Sequence, residues 1–125
     1  MGAVPADHLT LGKRGEQLAC DFLREVGCEI LVRGYRFSRA EVDIVMRGPA
    51  GLHFVEVKTR RWPDERAAFE AVSRAKQRNV MAAAGRYCDD HDYAGDIQFD
   101  VVVVLIDPGD NVRITWRQDA FGFWN

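Results

Sequence analysis

The chain has 125 residues, 47% of them hydrophobic and 29% charged, and a formal net charge of −2. That length suits one hydrophobic core, so we expect a single domain over 1–125 with its core at about 11–121. No apolar run approaches the ~20 residues of a membrane span, and the opening MGAVPADHLT lacks the basic start and apolar block of a secretory leader. Cys20, Cys28 and Cys88 form neither a C-x-x-C nor a zinc-ligand spacing. Reduced thiols in a cytoplasmic protein are the expectation.

In chain order, Leu11 to Val26 carries Leu11, Leu18, Phe22 and Val26 at the spacing of a helical face. Thr10 reads as its N-cap and Gly27 as its terminating glycine. Cys28 to Arg36 reads as a first strand. Glu41 to Arg47 and Leu52 to Thr59 alternate charged and apolar residues around GPAG, which predicts a hairpin. Ala68 to Cys88 reads as a second helix with Phe69, Val72, Lys76, Val80, Ala83 and Tyr87 on one stripe. Lys76 is the charged intruder there. IQFDVVVVLID predicts a strand buried on both faces, and VRITWRQ returns beside it after PGDN. The closing DAFGFW should pack its aromatics back onto the core. The order α-β-β-β-α-β-β describes one mixed α/β domain.

Charge is uneven along this order. Arg33 to Arg78 holds eleven Lys/Arg against six Asp/Glu, whereas the remainder holds six against thirteen. A basic middle between acidic ends is compatible with a polyanionic partner, although surface arginines are often only a solvated face.

The hairpin raises the sharper question. With GPAG at its tip, residues whose numbers sum to ninety-nine lie opposite one another. Ile44 then meets Val55 and Val42 meets Val57 on an apolar face, with Asp43 against Glu56 and Glu41 against Lys58 on the other. Directly opposed like charges destabilise a sheet. Two readings are open: a wet sheet face carrying a Glu41–Lys58 ion pair, or a carboxylate pair that shares a hard divalent cation.

Together RGEQLACDFLREVGCEILVRGYRF, AEVDIV, HFVEVKTR, AKQRNV, FDVVVV and the closing DAF resemble the YraN-type bacterial proteins, a family regarded as endonucleases. The resemblance runs from about Gly12 to about Phe121 and extends to the PD-(D/E)XK nuclease superfamily and its archaeal-type Holliday-junction resolvases. It implies a restriction-endonuclease-like mixed sheet flanked by helices. It implies Asp43 and Glu56 as metal ligands, with the Val57 carbonyl and Glu16 completing the shell. Lys58 falls at the attacking water or scissile phosphate. Gln77 matches a glutamine that related nucleases carry on the helix after this strand, with Lys76 beside it. Relatives usually have Gly-Glu-Ile-Asp where this chain has Ala40-Glu41-Val42-Asp43, and often Asn in place of Gly34.

The expected chemistry is Mg²⁺-dependent hydrolysis of DNA phosphodiesters, with Mn²⁺ substituting and Glu16, Asp43, Glu56 and Lys58 as the catalytic set. The absence of His or Cys from that set argues against zinc. One metal ion and two are both compatible with it. Arg33, Arg36, Arg39, Arg60, Arg61 and Arg66, with Lys76 and Gln77, are the candidates for binding DNA through its phosphates. No recognition helix, zinc finger or aromatic stacking motif is evident. Branched DNA, or DNA cut without sequence preference, is therefore the expected partner. The resolvase resemblance adds a homodimer, for which the sequence identifies no face. The rival readings are a non-catalytic nucleic-acid-binding module and a phosphate-handling or protein-interaction domain.

Overall fold

A computed structural model describes the backbone of residues 3–63 and 72–122, and side chains from Thr10 onward. Its elements are α1 (Ala3–Glu25), β1 (Glu29–Phe37), β2 (Ala40–Gly48), β3 (Gly51–Arg61), α2 (Arg74–Asp90), β4 (Ile97–Ile106) and β5 (Val112–Phe121). This is the predicted order. Thr10 lies inside α1 and is not its cap, because the helix begins seven residues before it. Leu11 onward supplies the packed face, and the helix continues N-terminally beyond that pattern. The predicted start of the second helix, with Phe69, and the phosphate-binding candidate Arg66 fall outside the described residues. The described helix opens at Arg74, where the Lys76 N–H donates to the Ser73 hydroxyl at 3.1 Å. At the other end of α1, Gly27 (φ +99°) turns the chain. The Cys28 N–H then bonds the Leu23 carbonyl at 2.9 Å and the Gly27 N–H bonds that of Arg24 at 3.0 Å.

The strands form one sheet in chain order, antiparallel throughout except for the parallel β3–β4 pair. The GPAG hairpin takes the expected register from Gly48↔Gly51 to Ile44↔Val55. Helices cover both faces. Ala19, Cys20 and Leu23 of α1 pack on Ile44, Met46, Val55, Val102, Val104 and Ile106. Val80, Ala83, Ala84 and Tyr87 of α2 pack on Val42, Val45, Leu52, Phe54, Phe99 and Val103. β4 is buried on both sides, as its unbroken β-branched run predicts. Phe121 stacks on Phe99 at 5.3 Å, which satisfies the packing expected of the closing aromatics for the one that is described.

Simple alternation breaks down at two neighbouring positions of β1 and β2. Val42 belongs to the α2 side and Ile44, two residues on, to the α1 side. The sheet therefore changes faces at Asp43, and the continuous Val42–Ile44 face expected from the sequence is not formed. In β1 the neighbouring position is Gly34, with φ +67°. Only glycine, and less readily asparagine, adopts that conformation cheaply, which accounts for the Asn that the resemblance carries here.

A buried polar network ties β3, β4 and β5 together. His53 and Asp100 are both fully buried. The Ala50 N–H donates to His53 Nε2 at 3.2 Å, which leaves Nδ1 to donate to Asp100 at 2.7 Å. Asp100 also accepts from Trp116 Nε1, Gln98 Nε2 and the Asp119 N–H. With its donors and acceptors matched, His53 serves the fold.

The contact of α1 with the sheet is closest at Gly15. A Cβ there would lie 1.8 Å from Thr59 Oγ1 and 2.7 Å from Thr59 Cβ. Gly15→Ala should thus lift α1 from β3 and cost about 1–3 kcal/mol, read as a lower urea midpoint. An unchanged midpoint would show that the helix does not sit this close.

Candidate active site

The sequence places Asp43, Glu56, Val57 and Lys58 on two neighbouring strands; the structure shows that the strands part there. The paired residues of β2 and β3 run only as far as Ile44↔Val55. One step further, the Asp43 carboxylate accepts the Val57 N–H at 2.7 Å. The expected face-to-face pairing of Asp43 with Glu56 is replaced by this side-chain cap, because the change of faces at Asp43 turns its carboxylate toward the β3 backbone.

Two clefts open at this point. One, of about 310 Å³, is lined by Glu56, Val57, Lys58, Arg60, Ser73 and Lys76. The other, of about 270 Å³, is lined by Glu16, Asp43, Val57, Thr59 and Arg60 together with Leu11 and Gly12. Val57 and Arg60 belong to both, so the carboxylates flank a shared stretch of β3. The parallel register explains the division. Glu56, Lys58 and Arg60 pair with Val101, Val103 and Leu105, all on the α2 side.

Electrostatics bind the two clefts. Burial, then the charge of Glu56 and more weakly that of Glu16, pushes the Asp43 carboxyl up from 3.8 to about 7, against the Val57 N–H and Lys76. Glu56 is paired with Lys76 at 2.8 Å through Oε1, while its Oε2 is buried and has no hydrogen-bond partner among the described residues. Burial acts to lower the Lys76 ammonium, but the hydrogen bond and charge of Glu56 outweigh it and the net shift is upward. Lys76 thus leaves its otherwise apolar stripe to meet a carboxylate, and α2 sets it there through the Ser73 cap. Sequence reasoning misses Ser73, although a serine three residues before Lys76 has the capping pattern.

The remaining candidates divide. Arg33 donates to Gln17 at 2.9 Å, Arg36 pairs with Glu41 at 2.6 Å, and Arg39 is exposed at the β1–β2 turn; none of the three lines either cleft. The Glu41 carboxylate is thereby engaged across β1–β2, where the sequence set it against Lys58. Arg61 is exposed at the end of β3, with its side chain one position out of step with Arg60. Gln77 turns back to the Val72 carbonyl at 2.8 Å and does not face the carboxylates. Among the described residues no three His, Cys, Asp or Glu side chains lie close enough to hold a metal as they stand. What suits a hard cation is the donor chemistry: oxygen ligands, one of them an orphaned buried carboxylate oxygen.

A five-stranded mixed sheet between two helices, with acidic groups gathered where its second and third strands separate, defines the class of molecule. The sequence profile of the uncharacterised protein family UPF0102 matches residues 15–104. A UPF0102 protein of Rhodococcus jostii (strain RHA1) is 38% identical over 117 residues, covering 93% of this chain and 99% of the relative. One from Chlorobium limicola is 38% identical over 86% of this chain and 84% of its own, and one from Nitrosococcus oceani 36% identical over 94% and 95%. The chain belongs to the UPF0102 family, the YraN-type proteins. Among the described residues no helix is long and apolar enough to cross a membrane.

The raised Asp43 gives a signed pH dependence. In chelator, the folded protein keeps a proton on Asp43 from about pH 4 to about pH 7 that the unfolded chain has released, so stability falls as pH rises through that window. Asp43→Asn, which keeps an acceptor for Val57, should exceed the parent by about 1–4 kcal/mol near pH 8 and lose most of that lead near pH 4. Urea titrations of both proteins at the two pH values check this. A constant difference between them would place Asp43 in ordinary solvent.

Proposed function

We propose that the protein is a divalent-metal-dependent endonuclease that hydrolyses DNA phosphodiesters, with Mg²⁺ as the natural ion and Mn²⁺ as a substitute. The observation that carries this reading is the orphaned Glu56 Oε2 beside an Asp43 whose charge the site resists. A cation between them would relieve both faults. Asp43 and Glu56 would hold it, with the Val57 carbonyl beside them and Glu16 completing the shell from α1. A bound Mg²⁺ supplies Lewis-acid polarisation of the phosphate and a water acidic enough to attack.

The chain's own groups do the rest. Lys58, two residues beyond Glu56 on the same face, places an ammonium where negative charge builds on the phosphoryl oxygens. Arg60 lies on both clefts and is positioned for a neighbouring phosphate. The Glu56–Lys76 pair holds the carboxylate in place before metal and DNA arrive. Contacts of this kind bind the backbone without reading sequence, which favours recognition by DNA shape. A cytoplasmic setting fits that substrate, and a dimer would fit a branched one.

One observation favours a second reading. Lys76 already satisfies half of the Glu56 carboxylate, as it would in a nucleic-acid-binding module that no longer needs metal. Cleavage of labelled duplex, flapped, single-stranded and junction DNA in Mg²⁺, Mn²⁺ and chelator separates the two. The endonuclease should cut only with metal, and Glu56→Gln or Lys58→Met should each reduce the rate by about 10²-fold or more. Undiminished cutting by Glu56→Gln sinks the site assignment. DNA binding without cutting by any of the proteins selects the module.

A further inference from the structure

Past the carboxylates, the α2 side of β3 continues as a row. Glu56, Lys58 and Arg60 succeed one another at every second residue, and Trp62 comes next. The Trp62 N–H bonds the Ile106 carbonyl at 2.9 Å, which keeps it in line with β4. At the rise of a strand, successive members are about 6–7 Å apart and Trp62 is about 20 Å from Glu56. Helix α2 meets the row at Lys76–Glu56 and runs the other way, where Tyr87 packs on Phe54 at 5.9 Å. Among the described residues, α2 therefore does not reach the Trp62 end of the row.

Trp62 is 40% exposed, unusual for so large an apolar side chain. It lines a cleft of about 290 Å³ with Leu105, Asp107, Asn111, Val112 and Arg113. The Arg113 guanidinium lies 5.1 Å from the indole centroid. Arg113 pairs with Leu105 across β4–β5, so it shares the face of the row. Asp107, the carboxylate in this lining, is engaged in its own turn. It accepts from the Gly109 and Asn111 N–H groups and from the Asn111 side chain.

We propose that Trp62 and Arg113 form a binding site for an unpaired nucleobase, on a DNA strand whose phosphates run along Arg60 and Lys58 into the carboxylate cleft. The proposal rests on the DNA-binding half of the proposed function. With the Arg113 guanidinium lying over the indole, a base can stack on the exposed part of the indole or on the guanidinium plane above it, and the cation adds attraction for the flanking phosphate. Bases inside a duplex are already stacked and do not present their faces, so the site selects single-stranded or branched DNA. The sequence alone does not reveal this site: Trp62 is a lone aromatic in RRWPDE, and Arg113 comes fifty-one residues later.

The test measures binding of the full chain, in chelator so that nothing is cut, to a labelled oligothymidine and to a duplex of equal length at one low salt concentration. Trp62→Ala should weaken single-strand binding by about 5- to 150-fold and duplex binding by less than about twofold. Trp62→Phe, which keeps a smaller stacking face, should retain most of the affinity, and its circular dichroism should match the parent. Single-strand binding unchanged in Trp62→Ala overturns the proposal. So does an equal loss for both DNAs, or a parent that binds neither. Because this binding test uses no metal, a protein that shows the single-strand preference here but cuts no DNA in the Mg²⁺ and Mn²⁺ assay refutes the endonuclease and leaves the base site standing.

Discussion

A single hydrogen bond governs the site: the Asp43 carboxylate accepting the Val57 amide. Backbone amides inside a protein must find partners, and β2 stops supplying them to β3 beyond Val55. The side chain of Asp43 takes over where the main chain leaves off. This one contact has two results. The strands can separate without an orphaned amide, and a carboxylate is drawn into a half-buried position next to Glu56. The separation opens the two clefts, and the displaced carboxylate adds its charge where the proposed cation would sit. Gly34 belongs to the same constraint, since β1 must accompany β2 through its change of faces.

The surroundings hold this arrangement with little freedom to relax. α1 reaches the sheet at Gly15 with no space for a methyl group, so Glu16, the next residue, arrives beside Asp43 by close packing. On the opposite side α2 presents Lys76 from its first turn, positioned by the Ser73 cap. The His53–Asp100 network fixes the far end of the hairpin against β4 and β5. A buried network with every partner supplied rigidifies its neighbourhood, and here it steadies the strand that carries Glu56 and Lys58.

Much of this could be read in the residues, and the failures have physical causes. The element order came from periodicity, and the hairpin register came from GPAG because a slip would have set apolar residues against charges. Lys76 announced itself by breaking an apolar stripe. The change of faces at Asp43 was invisible, since it depends on a backbone conformation at Gly34 and on the loss of pairing beyond Val55. That Arg60 lines the clefts while Arg33, Arg36 and Gln77 hold other partners could not be told from the sequence. Long polar side chains reach whichever partner the tertiary structure provides, and here Gln17, Glu41 and the Val72 carbonyl were nearer than the cleft.

The sheet runs in chain order, so each strand lies beside its neighbour in sequence, yet the β3–β4 pair is parallel and needs a long crossover. Hairpins close through local contacts, whereas a parallel pair waits on the closure of a long loop and forms slowly. Lys76 lies within that crossover. The hairpin of β2 and β3 can thus bring Asp43 and Glu56 together early, whereas the ammonium that pairs with Glu56 arrives with α2, which docks on β2 and β1. The assembled cleft therefore needs the docked helix as well as the hairpin, although the hairpin alone brings its carboxylates together.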